Sequence, residues 1–466
     1  MRQQNGRMTG VKIAYIGGGS RGWAWTFMTD LAQDDEISGE IRLYDIDAAA
    51  AEANKIIGNR LMSREDAKGS WTFEVYPSLK DALEGCDFVV ISILPGTFDE
   101  MESDVHLPER LGCWQSVGDT AGPGGIIRAL RTIPMFAEIA QAIRDHAPDA
   151  WVINYTNPMS LCVKTLYYIY PEIKAFGCCH EVFGTQKVLK EIYERQTGDT
   201  VEDWHDVLVN VVGINHFTWF TEASCKGVDL FPVYRDFIEQ HFDEGLDNKD
   251  NSWMNSSFSC AHRVKMDLFR RFGWIAAAGD RHLAEFMPGD EYLKDPETVR
   301  GWKFGLTSVQ WRKDDLAKRL QRSRDLIDGK DSIELKATGE EGILLIKALC
   351  GLQRFVSNVN IPNTALQIPN LPPDAVVETN AVFERDHIYP VAAGALKRDV
   401  YDLVIPHVEN HDRTLRAALT CDRELVTDAF LNDPNYRAKC SDREVTRHLV
   451  NDMIENTLQY LPKGWK

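Results

Sequence analysis

Directly after an apolar run from Val11 to Ile16, the chain reads Gly17-Gly18-Gly19-Ser20-Arg21-Gly22. In this G-x-G-x-x-G spacing the missing side chains let backbone amides at a helix start approach a pyrophosphate, whose charge the positive end of the helix favours. A second strand candidate, Ile41-Arg-Leu-Tyr-Asp45, follows one helix-length later. Its terminal carboxylate is placed to accept hydrogen bonds from the adenosine ribose hydroxyls and to repel a 2′-phosphate. The cofactor expected is therefore NAD rather than NADP, held by Gly17, Gly18, Gly19, Ser20, Gly22 and Asp45.

A second constellation is spread more widely: Asn154-Tyr-Thr-Asn157-Pro158, Gly177-Cys178-Cys179-His180-Glu181 and Gly213-Ile-Asn-His216. These clusters follow apolar strand candidates, and ligands of open α/β sheets collect at the carboxyl ends of strands. Amide, thiolate and imidazole converging there would suit Mn²⁺, Fe²⁺, Co²⁺ or Ni²⁺. Spacing alone leaves the reading open. There is no tight C-x-x-C pair and no H-x-x-x-H helix, buried thiols and imidazoles are common core groups, and Cys178 and Cys179 are interchangeable at this level.

The elements that must position these groups alternate. Strand candidates at 11–16, 41–45, 87–93 and 151–154 are separated by helical patterns at 48–64 and 125–146, with a further helix at 185–197. This order predicts an α/β fold, a Rossmann-like doubly wound parallel sheet. It is followed by a mixed α+β, helix-rich second domain, an architecture of the lactate/malate dehydrogenase kind. The expected division is a flexible tail over 1–10, an NAD-binding domain over 11–200, and a metal, substrate and oligomerisation domain over 201–466. The last contains a strand at 207–212 and helices at 338–356 and 443–461. At 466 residues and 44% apolar content the chain can bury a large core. Its net charge of −18 argues against nucleic acid or an anionic membrane as a partner. The ten cysteines are irregularly spaced, no long apolar run or secretory start is present, and a cytoplasmic location with reduced thiols is expected.

Taken together, Gly17 to Ser20, Gln115 with Gly118 to Gly125, Asn154 to Pro158, Gly177 to His180, Gly213 to His216, Asn370-Leu-Pro372 and Val377-Glu378 resemble the family-4 glycoside hydrolases, nearly end to end. The resemblance is closest to the α-galacturonidase branch, through Ser92 to Gly96, Val105 to Arg110, Cys178 to Gly184 and Gly279 to Phe286. It implies that retained NAD oxidises the sugar at C3, which acidifies the C2 proton. Deprotonation, elimination of the glycosidic oxygen, water addition and return of the hydride follow without net redox change. By the same resemblance Cys179 and His216 hold Mn²⁺ or another divalent metal, and Asn157 holds the sugar hydroxyls. His180 is the acid and Asp280 the C2 base, with Tyr292 the nearest alternative. Arg281, His282, His262 and Arg263 are the candidates for a uronate carboxylate. The expected partner is a small uronide, and the assembly a homodimer or homotetramer. An α-glucosidase, α-galactosidase or 6-phospho-α-glucosidase of the same family is the alternative. So is a hydroxy-acid dehydrogenase, against which the Cys179 and His216 pair argues, and so is a nucleotide sensor without metal dependence.

Overall fold

In a computed structural model, which describes residues 1–4, 6–246 and 260–465, the apolar runs of the first half become strands of one sheet. In chain order these are β1 (Arg2–Gln4), β2 (Arg7–Ile16), β3 (Ile37–Tyr44), β4 (Ser70–Val75), β5 (Phe88–Ile91), β6 (Trp151–Asn154) and β7 (Lys174–Gly177). Next come β8 (Val207–Ile214), β9 (Phe217–Cys225), β10 (Val228–Asp229) and β11 (Ile275–Ala276). The last three are β12 (Phe355–Pro362), β13 (Val376–Glu384) and β14 (His387–Pro390). The six strands β7-β6-β5-β2-β3-β4 lie side by side and all parallel. That is the doubly wound dinucleotide-binding order, with its reversal point between β2 and β5. Strands such as Phe88-Val-Val-Ile91 are buried at every residue because helices cover both faces. On one side Ile16, Val89 and Ile91 pack with Phe136, Ile139 and Ile143 of the Gly122–His146 helix.

The α/β, Rossmann-like expectation is met, but the division at residue 200 does not divide this sheet. β12, β13 and β14 continue it antiparallel from β7, meeting that strand at Asn360 opposite Gly177. β8 to β11 form a separate four-stranded sheet. Nor is the start a free tail: β1 pairs antiparallel with β2 across a turn in which Gly6 takes a φ of +75°. The helix expected over 338–356 spans only Gly342–Leu349. Gly351, at a φ of +79°, reverses the chain before β12 begins at Phe355. The helix expected to reach 461 stops at Glu455, with a short 3-10 turn beyond it. No helix among the described residues is long and apolar enough to cross a membrane, and all ten cysteines are unpaired.

Candidate functional site

β2 ends at Ile16 and the chain turns at Gly17, whose φ is +90°. A Cβ there would stand 2.0 Å from the Ser92 carbonyl oxygen just past β5, so only glycine fits the reversal point. Asn54 fixes the loop from below. Its Nδ2 donates to the carbonyls of Gly18 (2.7 Å) and Ser20 (2.9 Å), and its Oδ1 accepts from the Trp25 indole (2.9 Å). Asp45 stands just past β3, as expected, and braces the loop as well. Its Oδ2 accepts the Gly19 N–H at 2.8 Å and its Oδ1 the Asp47 N–H at 2.9 Å, which leaves each oxygen a further lone pair for a ribose hydroxyl. Gly22 precedes the Trp23–Gln33 helix, whose first turn contains no acidic residue. The positive end of that helix is thus left for an anion.

Cys179 and His216 arrive from different elements. Cys178, Cys179 and His180 link β7 to the Glu181–Thr197 helix, and the Cys178 N–H donates to the Asn154 carbonyl at 3.0 Å. His216 sits with Asn215 in the two-residue turn between β8 and β9, where Ile214 pairs with Phe217. Gly213 permits that turn, since a Cβ there would lie 2.4 Å from the Phe217 carbonyl. The Thr120 hydroxyl is 3.2 Å from His216 Nδ1, leaving Nε2 as the open nitrogen. Burial first, and then the neighbouring His282, push the imidazole down to about 3, so it is a neutral donor. Burial, reinforced by Glu378 and Glu181, pushes the Cys179 thiol well up; a cation beside it is what would stabilise the thiolate.

Glu378 of β13 ties the two elements together. Its Oε1 accepts from Asn358 Nδ2 at 2.7 Å, and its Oε2 from Asn215 Nδ2 at 3.3 Å. Asn358 Nδ2 also lies 3.4 Å from the Cys179 carbonyl. One buried carboxyl thus reaches both the turn of His216 and the backbone of Cys179, and burial raises it to about 7. Asn157 Oδ1, Asn215 Oδ1 and His282 Nδ1 are buried without a partner among the described residues. A thiol, an imidazole nitrogen and orphaned acceptors fit a divalent transition metal and a polyhydroxylated ligand, and the glycine turn fits a dinucleotide.

Around this pair lie His180, Glu181, His282 and Asp119. The His180 side chain is half exposed, with Nδ1 3.4 Å from Glu340 and Nε2 4.0 Å from Glu181. Its ring lies beside Trp23, the residue after the glycine loop. The His282 ring lies 4.0 Å from that of His216, tilted by 40°, and its Nε2 is 3.7 Å from Glu181. Burial works to raise the Glu181 carboxyl, but His282, His180 and His216 hold it down to about 2, aided by the Gly279 N–H at 2.7 Å. Asp119 is likewise held to about 2 against its burial, chiefly by Arg128.

Several expected residues are used otherwise. Asp280 is fully buried, and its two oxygens accept the Val264 and Lys265 N–H groups, each at 3.1 Å. It caps the Arg263–Phe272 helix rather than facing the Cys179 and His216 pair. Cys260, His262 and Asp280 do cluster, with donor atoms within 4.8 Å. That helix N-terminus and the buried Lys265 ammonium make the spot positive, which disfavours a cation. Tyr292 donates to Asp267 and accepts from Arg271. Arg281 spends its guanidinium on the Ser116 and Gly305 carbonyls and the Thr307 hydroxyl. Arg263 spends its own on the Phe242 and Gly301 carbonyls. Burial pushes His262 down to about 3, so it brings no cation either. Asp119, Glu181 and Glu378 each lie inside a motif named above, although spacing assigns them no role, and their acidic character is the available signal; Arg128 lies outside those motifs.

Comparison with known proteins bears on the whole chain. The family described as "Family 4 glycosyl hydrolase" matches residues 12–195, and its C-terminal domain matches residues 211–436. An α-galacturonidase of Lachnoclostridium phytofermentans is 62% identical over the full length of both chains. The Bacillus subtilis lplD crystal structure superposes with a TM-score of 0.91 at 51% identity, covering 96% of this chain and all of that one. A 6-phospho-α-glucosidase from gut microorganisms, solved with NAD and Mn²⁺, shares the fold at a TM-score of 0.79 and 20% identity, over 97% of this chain and 99% of its own.

Proposed function

The chain belongs to the family 4 glycosyl hydrolases, and on that premise we propose that it hydrolyses α-galacturonides with resident NAD and a divalent transition metal such as Mn²⁺. The observation that carries this reading is the thiol and imidazole pair beside a glycine cradle, ringed by orphaned acceptors, in a chain 62% identical throughout to an α-galacturonidase. When bound, NAD would accept and return a hydride, and the metal would stabilise negative charge on the sugar oxygens. Cys179 and His216 Nε2 would hold the metal, and Asn157 Oδ1 would accept from a sugar hydroxyl. His282 has an unpartnered, buried Nδ1 and takes the proton from C2, while the Asp280 carboxylate caps the Arg263–Phe272 helix. His180, at the open edge, delivers a proton to the leaving oxygen. Glu181 lies within 4.0 Å of both rings and holds their orientation. Cytoplasmic location and a homodimer or homotetramer complete the proposal.

The test is release of p-nitrophenol from its α-galacturonide with NAD⁺, Mn²⁺ and thiol reductant present, then with each withheld. Dependence on NAD⁺ and Mn²⁺ without net NADH is expected. Accumulating NADH would mean a dehydrogenase, and absence of cleavage would remove the uronide assignment.

A further inference from the structure

An ionised carboxylate can only accept hydrogen bonds, and a single hydroxyl placed between it and an imidazole passes that constraint on. Thr120 Oγ donates to Asp119 Oδ1 at 2.7 Å and lies 3.2 Å from His216 Nδ1. With its one proton committed to Asp119, the hydroxyl can only accept from His216. The imidazole proton therefore sits on Nδ1, and Nε2 is left bare. We propose that Asp119 and Thr120 are positioning residues which, through this relay, fix the tautomer of His216 and with it the affinity of the site for a divalent transition metal; this rests on the metal reading above.

The loop is clamped so that the relay stands ready before an ion arrives. Glu285 Oε1 accepts the Val117 and Gly118 N–H groups at 2.6 and 2.8 Å. Gln115 Nε2 donates to the Asp104 and Val105 carbonyls, while its Oε1 accepts the Gly124 N–H at 2.8 Å, which ties the loop to the start of the Gly122–His146 helix. At Gly125 that helix comes so close that a Cβ would stand 2.5 Å from the Thr120 carbonyl carbon. Thr120 is thus held through its backbone, and its hydroxyl is left to the relay. From the other side, His216 is confined to the turn between β8 and β9 and is only 4% exposed.

The carboxylate end is supported as well. Burial works against the charge on Asp119, and Arg128 is the chief group that favours it. Arg128 projects from the same helix and donates from Nε to the Asn157 carbonyl at 3.2 Å, so the charge behind the relay is anchored to the strand end that carries the proposed sugar-binding amide. A carboxylate standing behind a ligating imidazole also makes its free nitrogen a stronger donor to a cation.

The experiment measures Mn²⁺ binding to the full chain by paramagnetic resonance titration for wild type, Thr120→Val, Thr120→Ser and Asp119→Asn, with NAD⁺ affinity measured beside it. Thr120→Val keeps the shape and removes the hydroxyl, and its Mn²⁺ affinity is expected to fall about 10- to 100-fold while NAD⁺ affinity changes less than about threefold. Thr120→Ser restores the hydroxyl and should stay within about threefold of wild type. The amide of Asp119→Asn can donate to Thr120 as well as accept, so this variant should lose about 3- to 10-fold, and it decides the matter if the valine variant does not fold. In the imidazole ¹⁵N spectrum of the metal-free protein, assigned with His216→Gln, the His216 proton should sit on Nδ1 in wild type and spread to Nε2 in Thr120→Val. Wild-type Mn²⁺ affinity in a folded Thr120→Val or Asp119→Asn variant, a serine variant as weak as the valine one, or a wild-type proton on Nε2 overturns the relay while the metal reading stands. A wild type that binds no Mn²⁺ overturns both.

Discussion

What a histidine can do depends on which nitrogen its neighbours leave over. Thr120 occupies Nδ1 of His216 and leaves Nε2; Glu181 stands by Nε2 of His282 and leaves Nδ1 buried and alone. The two rings lie 4.0 Å apart, and in the proposed mechanism the leftover nitrogens have different tasks, one as a ligand and the other as a proton acceptor. Replacing His282 with Gln should lower kcat by about 10²- to 10⁴-fold and abolish deuterium exchange at C2 in folded protein that still binds Mn²⁺. Asp280→Asn should act on stability instead, since the carboxylate caps a helix. Exchange retained in the His282 variant and lost in a folded Asp280 variant would reverse the two roles.

At the scale of elements, the proposed metal pair is assembled by strands that lie far apart in the chain. Cys179 follows β7, His216 turns between β8 and β9, and Glu378 on β13 reaches toward both through Asn358 and Asn215. Second-layer groups of this kind commonly contribute 10- to 100-fold in metal affinity. Glu378→Ala is therefore expected to weaken Mn²⁺ binding by about that factor, measured by paramagnetic resonance titration, while NAD affinity changes less than about threefold; equal losses would mean general collapse. The glycine loop, β2, β5 and β6 were legible in the sequence because parallel strands covered on both faces read as short, mostly apolar runs, and because the turn at Gly17 admits no side chain. β12 was not: Leu344 to Leu349 has a helical rhythm, and Phe355 and Val356 happened to extend it past the turn at Gly351. Asp280 and Arg281 have the right chemistry for a base and a carboxylate clamp. Which way a side chain faces is decided by contacts far along the chain, here Val264, Lys265 and Ser116, and spacing contains no trace of those.

For the molecule as a whole, Glu285 shows how the second half holds the first. Its Oε1 accepts the Val117 and Gly118 N–H groups at 2.6 and 2.8 Å, just before Asp119, and its Oε2 is buried and unpaired. Burial raises this carboxyl to about 8. A folded value above the unfolded one means that the group's contribution is full below about pH 4.5 and is lost as pH rises through 8. Between pH 6 and 9 this amounts to roughly 3 kcal/mol, on the order of 1.4 kcal/mol per pH unit over the titrating range. Glu285→Gln mimics the protonated form and should flatten the fall in denaturation midpoint across that window; an unchanged slope would show that the carboxyl is not the source. The sheet has a further consequence for the chain as it is made. β7, the edge next to Cys178 and Cys179, is covered by β12, and the two meet at one rung, Asn360 opposite Gly177. On the ribosome the first half therefore emerges with a bare hydrogen-bonding edge, which stays open to mispairing until the strands after Phe355 are translated.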